Sequence, residues 1–547
     1  MEADMYGAQK RIWKMLRGLK RETNETIQLR TIAEDTWEKY FRDLYAETDE
    51  PMEAQETSQR DNTEDHAQIT YKQVEETIRK LKNRKSPNQD KIPNELIKNA
   101  GTAIIEEYTK LFNIILQHKK IPEEWKQSIT IPIFKKGDKT DPANYRGITL
   151  LSTSLKLLTK IIADKISSIV PISEEQQGFR RNRSTTDALF ILRQLVEKSL
   201  EYNSPAYLCF IDLTKAFDRV QLKDIITILE SSNVSKELTE LIKDLNTNTT
   251  TQIRTNFTLT QHLRTTTGIR QGDSLSPLLF NTIMDQVIKT VKNTGLGYRM
   301  GMHKVNILCY ADDAVLIAES EDDLQRMLQA FNRQAEKLNM QISTNKTKCM
   351  TITKEPLRCK LVIKNKTIDQ IMSFEYLGCK ITSSGFLEEE VRKQANKAAA
   401  ISGHLKYPIW KNKHLSTECK SRIYKTCIRP VMTYGAETRA ETSVTKRILR
   451  TTEMKTLRMI TGYTLRDRQR NVDIREKCQT NDVVRWIRQR RREWNQHVNR
   501  MGPDRMAIII RNNVPHGRRP TGRPPKRWQD SWQSTSQELL RRGGNRN

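Results

Sequence analysis

Val305 to Glu319 reads V-N-I-L-C-Y-A-D-D-A-V-L-I-A-E, two apolar runs on either side of adjacent carboxylates. Val305, Ile307, Leu308, Cys309 and Tyr310 read as one strand, and Ala314 to Ala318 as the next. Ala311, Asp312 and Asp313 form the tight turn between them, a setting in which Asp is comfortable. A hairpin of this kind lifts two charges to the tip of an otherwise buried sheet. Taken alone, the pair reads first as an ordinary Asp-rich turn.

A second stretch changes the weighing. About a hundred residues earlier, Ala206-Tyr207-Leu208-Cys209-Phe210-Ile211-Asp212-Leu213 is again an apolar strand ending in an acid, and Thr214-Lys215-Ala216-Phe217-Asp218 then opens a helix. If the two strands are neighbours, Asp212 faces Asp312. Carboxylates at contact distance repel unless a cation lies between them. Hard oxygen donors suit Mg²⁺, and paired Mg²⁺ ions about 3.5–4 Å apart are a common device for in-line phosphoryl transfer.

The whole chain agrees with a polyanionic partner. Its 547 residues carry a formal charge of +28 and suffice for two to four domains. That charge fits nucleic acid or an anionic membrane surface. No apolar run is long enough to span a bilayer, and Met1-Glu2-Ala3-Asp4-Met5 is no secretory signal. The 8 cysteines include no C-x-x-C pair and read as buried thiols in a reducing compartment. His414, Cys419 and Cys427 lack a fourth ligand at zinc spacing.

In chain order, residues 7 to 45 read as helical and 46 to 66 as an acidic linker. Tyr71 to Leu81 is a helix. The basic loop from Lys82 to Asn94 holds Arg84 and Lys91, which fit either phosphate contact or a solvated loop. A helix covers Ile104 to Gln117, with Tyr108, Leu111, Phe112 and Ile115 as its stripe. Thr130 to Phe134 and Tyr145 to Leu150 form a hairpin with a basic tip, and Arg146 on it offers a planar donor to a triphosphate. Ser152 to Ile169 is a helix. Arg180, Arg181 and Arg183 fit template contact or a solvated face, and Ser184 or Thr185 caps the helix that follows. Helices are expected over Leu222–Leu229 and Lys236–Leu245, and a hairpin over 251 to 266. In Gly268 to Phe280, Gly272 permits close backbone approach, Asp273 or Ser274 caps a helix, and Pro277 sits in its first turn. A polar helix covers 321 to 337. Lys346 or Lys348 is placed to protonate a leaving pyrophosphate. Ser373 to Ile381 is another hairpin, and the chain is mostly helical from about 388. Residues 441 to 547 hold 26 Lys/Arg against 10 Asp/Glu, which leaves +16 of the +28 there. Gly517 to Trp528 reads as a basic arm, with Trp528 and Trp532 either stacking on bases or, the favoured reading, anchoring the arm.

These segments, in this order, resemble the reverse transcriptase domain of non-LTR (LINE-type) retrotransposons, especially insect or RTE-like elements. Tyr310-Ala311-Asp312-Asp313 looks like the family's catalytic box, and Phe210 to Asp218 like the strand with its first catalytic Asp. Arg270 to Pro277 looks like its R-Q-G-D-x-L-S-P segment. Asn144–Ile148, Gln177–Arg180 and Tyr376-Leu377-Gly378 fit as well, over about 70 to 440. Asn88 stands where relatives often have Gly.

The resemblance implies an α+β right-hand polymerase of fingers, palm and thumb, with a helical N-terminal extension and a basic, mostly helical C-terminal region. The expected divisions are 1–68, 69–383 (fingers and palm), 384–445 (thumb-like) and 446–547 (nucleic-acid binding). Asp212, Asp312 and Asp313 would be both catalytic and metal ligands for two Mg²⁺, with Mn²⁺ as a substitute. Arg146, Gln271, Gly272, Lys346 and Tyr310 would bind the incoming deoxynucleotide, and Phe217 would exclude a ribose 2′-hydroxyl. Arg180, Arg181, Arg183, Tyr376, Gly378, Arg518, Arg519 and Arg523 would contact the RNA template and the DNA primer or target, with strong salt dependence. The implied activity is RNA-directed DNA synthesis in retrotransposition, by a nuclear and cytoplasmic ribonucleoprotein without membrane association. No stretch resembles the upstream endonuclease that full elements commonly carry. Two alternatives are a catalytically inactive, retrotransposon-derived nucleic-acid-binding protein and, more weakly, a group II intron-like enzyme.

Overall fold

The strand–turn–strand reading of Val305–Glu319 holds in the computed structural model, with two adjustments. The structure describes residues 32–45, 68–255, 258–522 and 525–531. Helix expected over 7–31, the linker of 46–66, Arg523 and Trp532 lie outside the described residues.

In chain order the strands are β1 (Gln127–Phe134), β2 (Tyr145–Leu150), β3 (Ala206–Ile211), β4 (Leu213–Thr214), β5 (Thr249–Thr255), β6 (Thr258–Leu259), β7 (Leu263–Thr265), β8 (Tyr298–Met300), β9 (His303–Val305), β10 (Ile307–Tyr310), β11 (Asp313–Ala318), β12 (Gln341–Ile342), β13 (Lys348–Ile352), β14 (Leu361–Ile363), β15 (Lys366–Gln370), β16 (Ser373–Tyr376) and β17 (Cys379–Thr382). Two larger sheets organise the fold. One runs β2-β1-β5-β6 with β7 also on β5, and the other runs β10-β11-β3-β13-β15-β14. The result is a mixed α+β fold with several small sheets and helical extensions.

The adjustments lie in the hairpin. The expected single strand from Val305 to Tyr310 is split at Asn306. Val305 pairs back to Tyr298 in β8–β9. Asn306 is turned aside, its side-chain oxygen accepting from Ile307 N–H and its carbonyl from Ile317 N–H. The turn is also one residue shorter than expected. Tyr310 pairs with Asp313, so Ala311 and Asp312 alone make the loop. Ala311 takes the left-handed conformation, φ +57°.

Both faces of the six-stranded sheet are covered, which explains why its strands read as near-continuous apolar runs. Alternate side chains enter two cores. Cys209, Ile211, Cys309, Ala314 and Leu316 join the helices Ser276–Asn293 and Glu321–Lys337. Leu208, Phe210, Leu308, Val315 and Ile317 join the helix Thr185–Glu201, with Trp494, Ile510 and Trp528 from the C-terminal region. A third core runs from Val391 to Ile487 across position 445. The N-terminal helix Glu34–Tyr45 packs Trp37 and Phe41 on Tyr145, Ile253 and Leu263 of the five-stranded sheet.

Local expectations largely hold. The β1–β2 hairpin, the helices Leu222–Ser231, Lys236–Asn246 and Glu321–Lys337, and the β16–β17 hairpin all form. Ser184 caps Thr185–Glu201 through a reciprocal box with Asp187. One cap differs: the helix expected from Asp273 or Ser274 starts at Ser276, with Leu275 at its N-cap. Asp273 is turned inward and accepts from Thr159 Oγ1 at 2.6 Å. Among the described residues no helix is long and apolar enough to cross a membrane.

Candidate active site

The ladder between β3 and β11 brings the acids together. Ile211 pairs with Ala314, so one further step sets Asp212 across from Asp313, with Asp312 beside it in the turn. The Asp212 segment is tied to several distant parts of the chain. Asp212 N–H donates to Thr347 Oγ1 at 3.3 Å, and its carbonyl accepts from Ser343 N–H at 2.8 Å. Leu213 pairs with Ile342. The Phe217 and Val220 carbonyls accept from Ile269 and Gly268 N–H.

The charges feel one another. Burial pushes the Asp313 carboxyl up to about 6, with further upward pressure from Asp312 and Asp212 and relief from Lys135. Burial also raises Asp312; Arg146 pulls it down and Asp212 pushes it up. Lys135 and Arg146 come from the β1–β2 hairpin, where Arg146 pairs with Ile133 and is exposed. Lys346 Nζ lies 3.3 Å from Asp212 Oδ2.

The fit of these residues to a divalent ion can be tested on the donors themselves. Asp212 Oδ2 is buried and has no hydrogen-bond partner. Hard carboxylate oxygens under mutual repulsion are a set that a small divalent cation stabilises. Among the described residues no group of three or more His, Cys, Asp and Glu is gathered into a ready metal cluster. The three carboxylates are therefore neighbours that suit such an ion without being drawn together around one point.

Around them lies an apolar and amide-lined floor. The Phe217 ring stacks on Phe280, centroids 4.0 Å apart, and meets Phe179 edge-on at 6.1 Å. The Gln271 backbone carbonyl accepts from Thr149 N–H at 2.8 Å, and its side-chain Nε2 donates to Asp218 Oδ1 at 3.4 Å. Gly272 has φ +133°, and a Cβ there would stand 2.4 Å from the Thr149 carbonyl oxygen. Only glycine allows that approach. Tyr310 is half-buried and opposite Asp313.

Asp218 escaped the sequence reading as a site residue. It is half-buried, its carboxyl pushed up to about 6 by desolvation and held down by Lys215, Arg146 and Gln271. The signal was an acid between apolar Phe217 and Val220, three residues after a lysine.

Other expected contacts are placed differently. Tyr376 is buried against Phe210, its hydroxyl without a partner, so its side chain faces the core and not a primer. Gly378 is half-buried, and its carbonyl accepts from Gln394. Arg180 donates to the Ser173 and Gln176 carbonyls, Arg183 pairs with Glu174, and Arg181 pairs with Asp164 while largely exposed. Arg519 pairs with Glu201 at 2.9 Å and covers the Tyr202 ring. Arg518 is exposed. Trp528 is an anchor: it is buried against Phe190, and its indole N–H donates to the Glu437 carbonyl at 2.6 Å.

Residues 133–381, which contain every acid of the site, match the family described as reverse transcriptase (RNA-dependent DNA polymerase). The chain is 29% identical over 276 residues to a retrovirus-related Pol polyprotein from a type-1 retrotransposable element R2 of Nasonia vitripennis, covering 50% of this chain and 26% of that protein. It is 26% identical to the RNA-directed DNA polymerase from mobile element jockey of Drosophila funebris, over 74% of this chain and 45% of the relative. It is 26% identical to the probable RNA-directed DNA polymerase from transposon X-element of Drosophila melanogaster, over 82% and 52%. The chain thus spans between about a quarter and a half of the length of these curated relatives. Residues 133–381 thus carry a match to the reverse transcriptase (RNA-dependent DNA polymerase) family, and the chain is similar to proteins of retrotransposable elements.

Proposed function

We propose that the protein adds deoxynucleotides to a primer 3′-hydroxyl on an RNA template, in retrotransposition, by phosphoryl transfer assisted by two Mg²⁺. The observation that carries this reading is the meeting of Asp212, Asp312 and Asp313 at one sheet end, with a buried, hydrogen-bond-free Asp212 oxygen. In this reading the six-stranded sheet is the palm, the five-stranded sheet belongs to the fingers, and the helices after 384 form the thumb and a basic C-terminal region.

Asp212 and Asp312 would hold the ions, with Asp313 contributing to one of them or to the local field. When bound, such ions lower the pKa of an attacking hydroxyl and balance charge on the phosphates. The chain's own residues do the rest. Arg146, exposed on the hairpin beside the acids, grips triphosphate oxygens through its planar fork. Lys346 supplies a mobile ammonium for the departing pyrophosphate. Phe217, held in place by Phe280, closes the space a 2′-hydroxyl would need. Gln271 and Gly272 line the floor under the new base pair.

Extension of a DNA primer on an RNA template with Mg²⁺ and deoxynucleotides tests the reading. Asp212→Ala and Asp312→Ala each lower the rate by about a hundredfold or more, while Phe217→Val admits ribonucleotides more readily. Equal extension by wild type and both Asp variants would sink the catalytic assignment of these acids, and no extension by wild type would favour a nucleic-acid-binding protein over a polymerase.

A further inference from the structure

The turn that carries Asp312 is held from outside by one side chain. Gln176 is fully buried. Its segment runs along the free edge of β10, where it makes a short parallel bridge to Cys309. Cys309 N–H donates to the Glu175 carbonyl at 2.9 Å, and Gln177 N–H donates to the Cys309 carbonyl at 2.8 Å. The Gln176 side chain then reaches past the end of the strand. Its Oε1 accepts from Ala311 N–H at 2.9 Å and from Gly178 N–H at 2.9 Å. Its Nε2 donates to the Ala311 carbonyl at 3.1 Å. Both backbone polar groups of Ala311 are thus satisfied by one amide.

Space is as tightly set as polarity. A Cβ on Gly178 would stand 2.3 Å from Ala311 N and 3.0 Å from the Tyr310 carbonyl carbon. The brace itself is anchored. Asn281, on the helix Ser276–Asn293, donates to the Gly178 carbonyl at 2.9 Å, and Arg180 donates to the Gln176 carbonyl at 3.0 Å.

The turn needs such a hold. Ala311 sits in the left-handed region, which costs an L-residue with a Cβ about 1–2 kcal/mol. The carboxylates of Asp312, Asp313 and Asp212 repel one another. Both forces push the two-residue loop to relax, and relaxation would carry Asp312 away from Asp212. We infer that Gln176 is a positioning residue for the carboxylate turn: its amide, locked against Ala311, keeps Asp312 in register with Asp212. The inference rests on the polymerase reading of those acids, and the role is one of placement, since Gln176 lies behind the turn.

The test uses the full chain with Gln176→Met, which keeps the length and removes the hydrogen bonds. Two measurements are made: primer extension on an RNA template, with kcat and the deoxynucleotide KM separated, and hydrogen exchange across the chain. The expected result is a fall in kcat of about ten- to a hundredfold with KM nearly unchanged. Exchange rises in residues 305–316 and stays at wild-type level elsewhere. Gly178→Ala, which crowds the same peptide while leaving the Gln176 amide present, gives the same pair of changes. Wild-type kcat in a folded Gln176→Met protein overturns the inference, and so does a loss of protection across the whole chain. If Gln176→Met fails to fold, Gly178→Ala decides by the same readouts; failure of both to fold also overturns it, because the segment is then a general scaffold. If Asp312→Ala extends primers normally, the polymerase reading has failed instead, and the exchange measurement alone still reports whether Gln176 holds the turn.

Discussion

At the end of the six-stranded sheet and on the helix Thr185–Glu201 across its face, charge is dense but handled in opposite ways. At the sheet end, burial and neighbouring carboxylates raise Asp312 and Asp313, and Asp212 keeps a buried oxygen without a hydrogen bond. On the helix face, acids and guanidinium groups are matched. Glu390 lies between Arg193 and Arg439, at 3.5 and 3.4 Å, all three buried. Lys198 donates to the carbonyls of Ile510, Arg511 and Asn513, and Glu201 meets Arg519 and Arg527. Carboxylates that outnumber the ammonium paired with them, Lys346 on Asp212, leave charge unmatched for an outside partner; acids set among guanidinium groups hold elements together. The two regions therefore respond to substitution in different currencies, activity at one and stability at the other.

The largest effect is expected on the matched side. Glu390→Gln leaves two buried guanidinium groups without a counter-charge and lowers unfolding free energy by about 3–5 kcal/mol in denaturant titration. At the unmatched end, Asp312→Asn removes at least about a hundredfold from primer extension. The same change leaves the melting temperature equal or higher, because it deletes a repelling, partly desolvated charge. Loss of stability with activity retained would erase the contrast.

A smaller effect concerns pH. Glu197 is half-buried beneath the C-terminal segment, accepts from Trp528 N–H at 2.8 Å, and is pushed up to about 7 by desolvation, with Glu201 adding to the rise and Lys198 opposing it. Its protonated form is the one the fold favours. The folded state therefore binds this proton more tightly than the unfolded chain, and stability falls as pH rises from about 4.5 to about 7. Glu197→Gln gains melting temperature over wild type across that window and little below it. The smallest effect is Arg519→Ala, a half-exposed pair with Glu201, worth at most about 1 kcal/mol and measured as the same shift in denaturant midpoint.

The contrast also explains what was legible in the sequence. Local patterns carried far. The basic hairpin at 130–150, the helix cap at Ser184 or Thr185, which falls to Ser184, and the helix 321–337 each depend on residues close in sequence, and each forms where expected. Asp212 and Asp313 were found because an acid at the end of an apolar strand is conspicuous. Partners set by tertiary contact were not legible. Nothing near Arg183 announces Glu174 as its counter-ion with both half hidden, and nothing near Tyr376 announces its burial on Phe210. Gln176 was passed over for the same reason: its meaning lies in Ala311, 135 residues away. The late start of the helix at Ser276 follows from Thr159, which draws Asp273 from the cap.

The stitching of the Asp212 segment has a consequence for how the protein comes to be. Its neighbours lie at 268–269, 314, 342–343 and 347, and few contacts come from residues adjacent in sequence. Such long-range pairings form late, because each closes a large loop before it is rewarded. A chain still emerging from the ribosome has the acid but not the frame around it until β13 has followed. The acid cluster would be among the last parts of the molecule to mature, and a nascent chain halted before residue 348 would lack its frame.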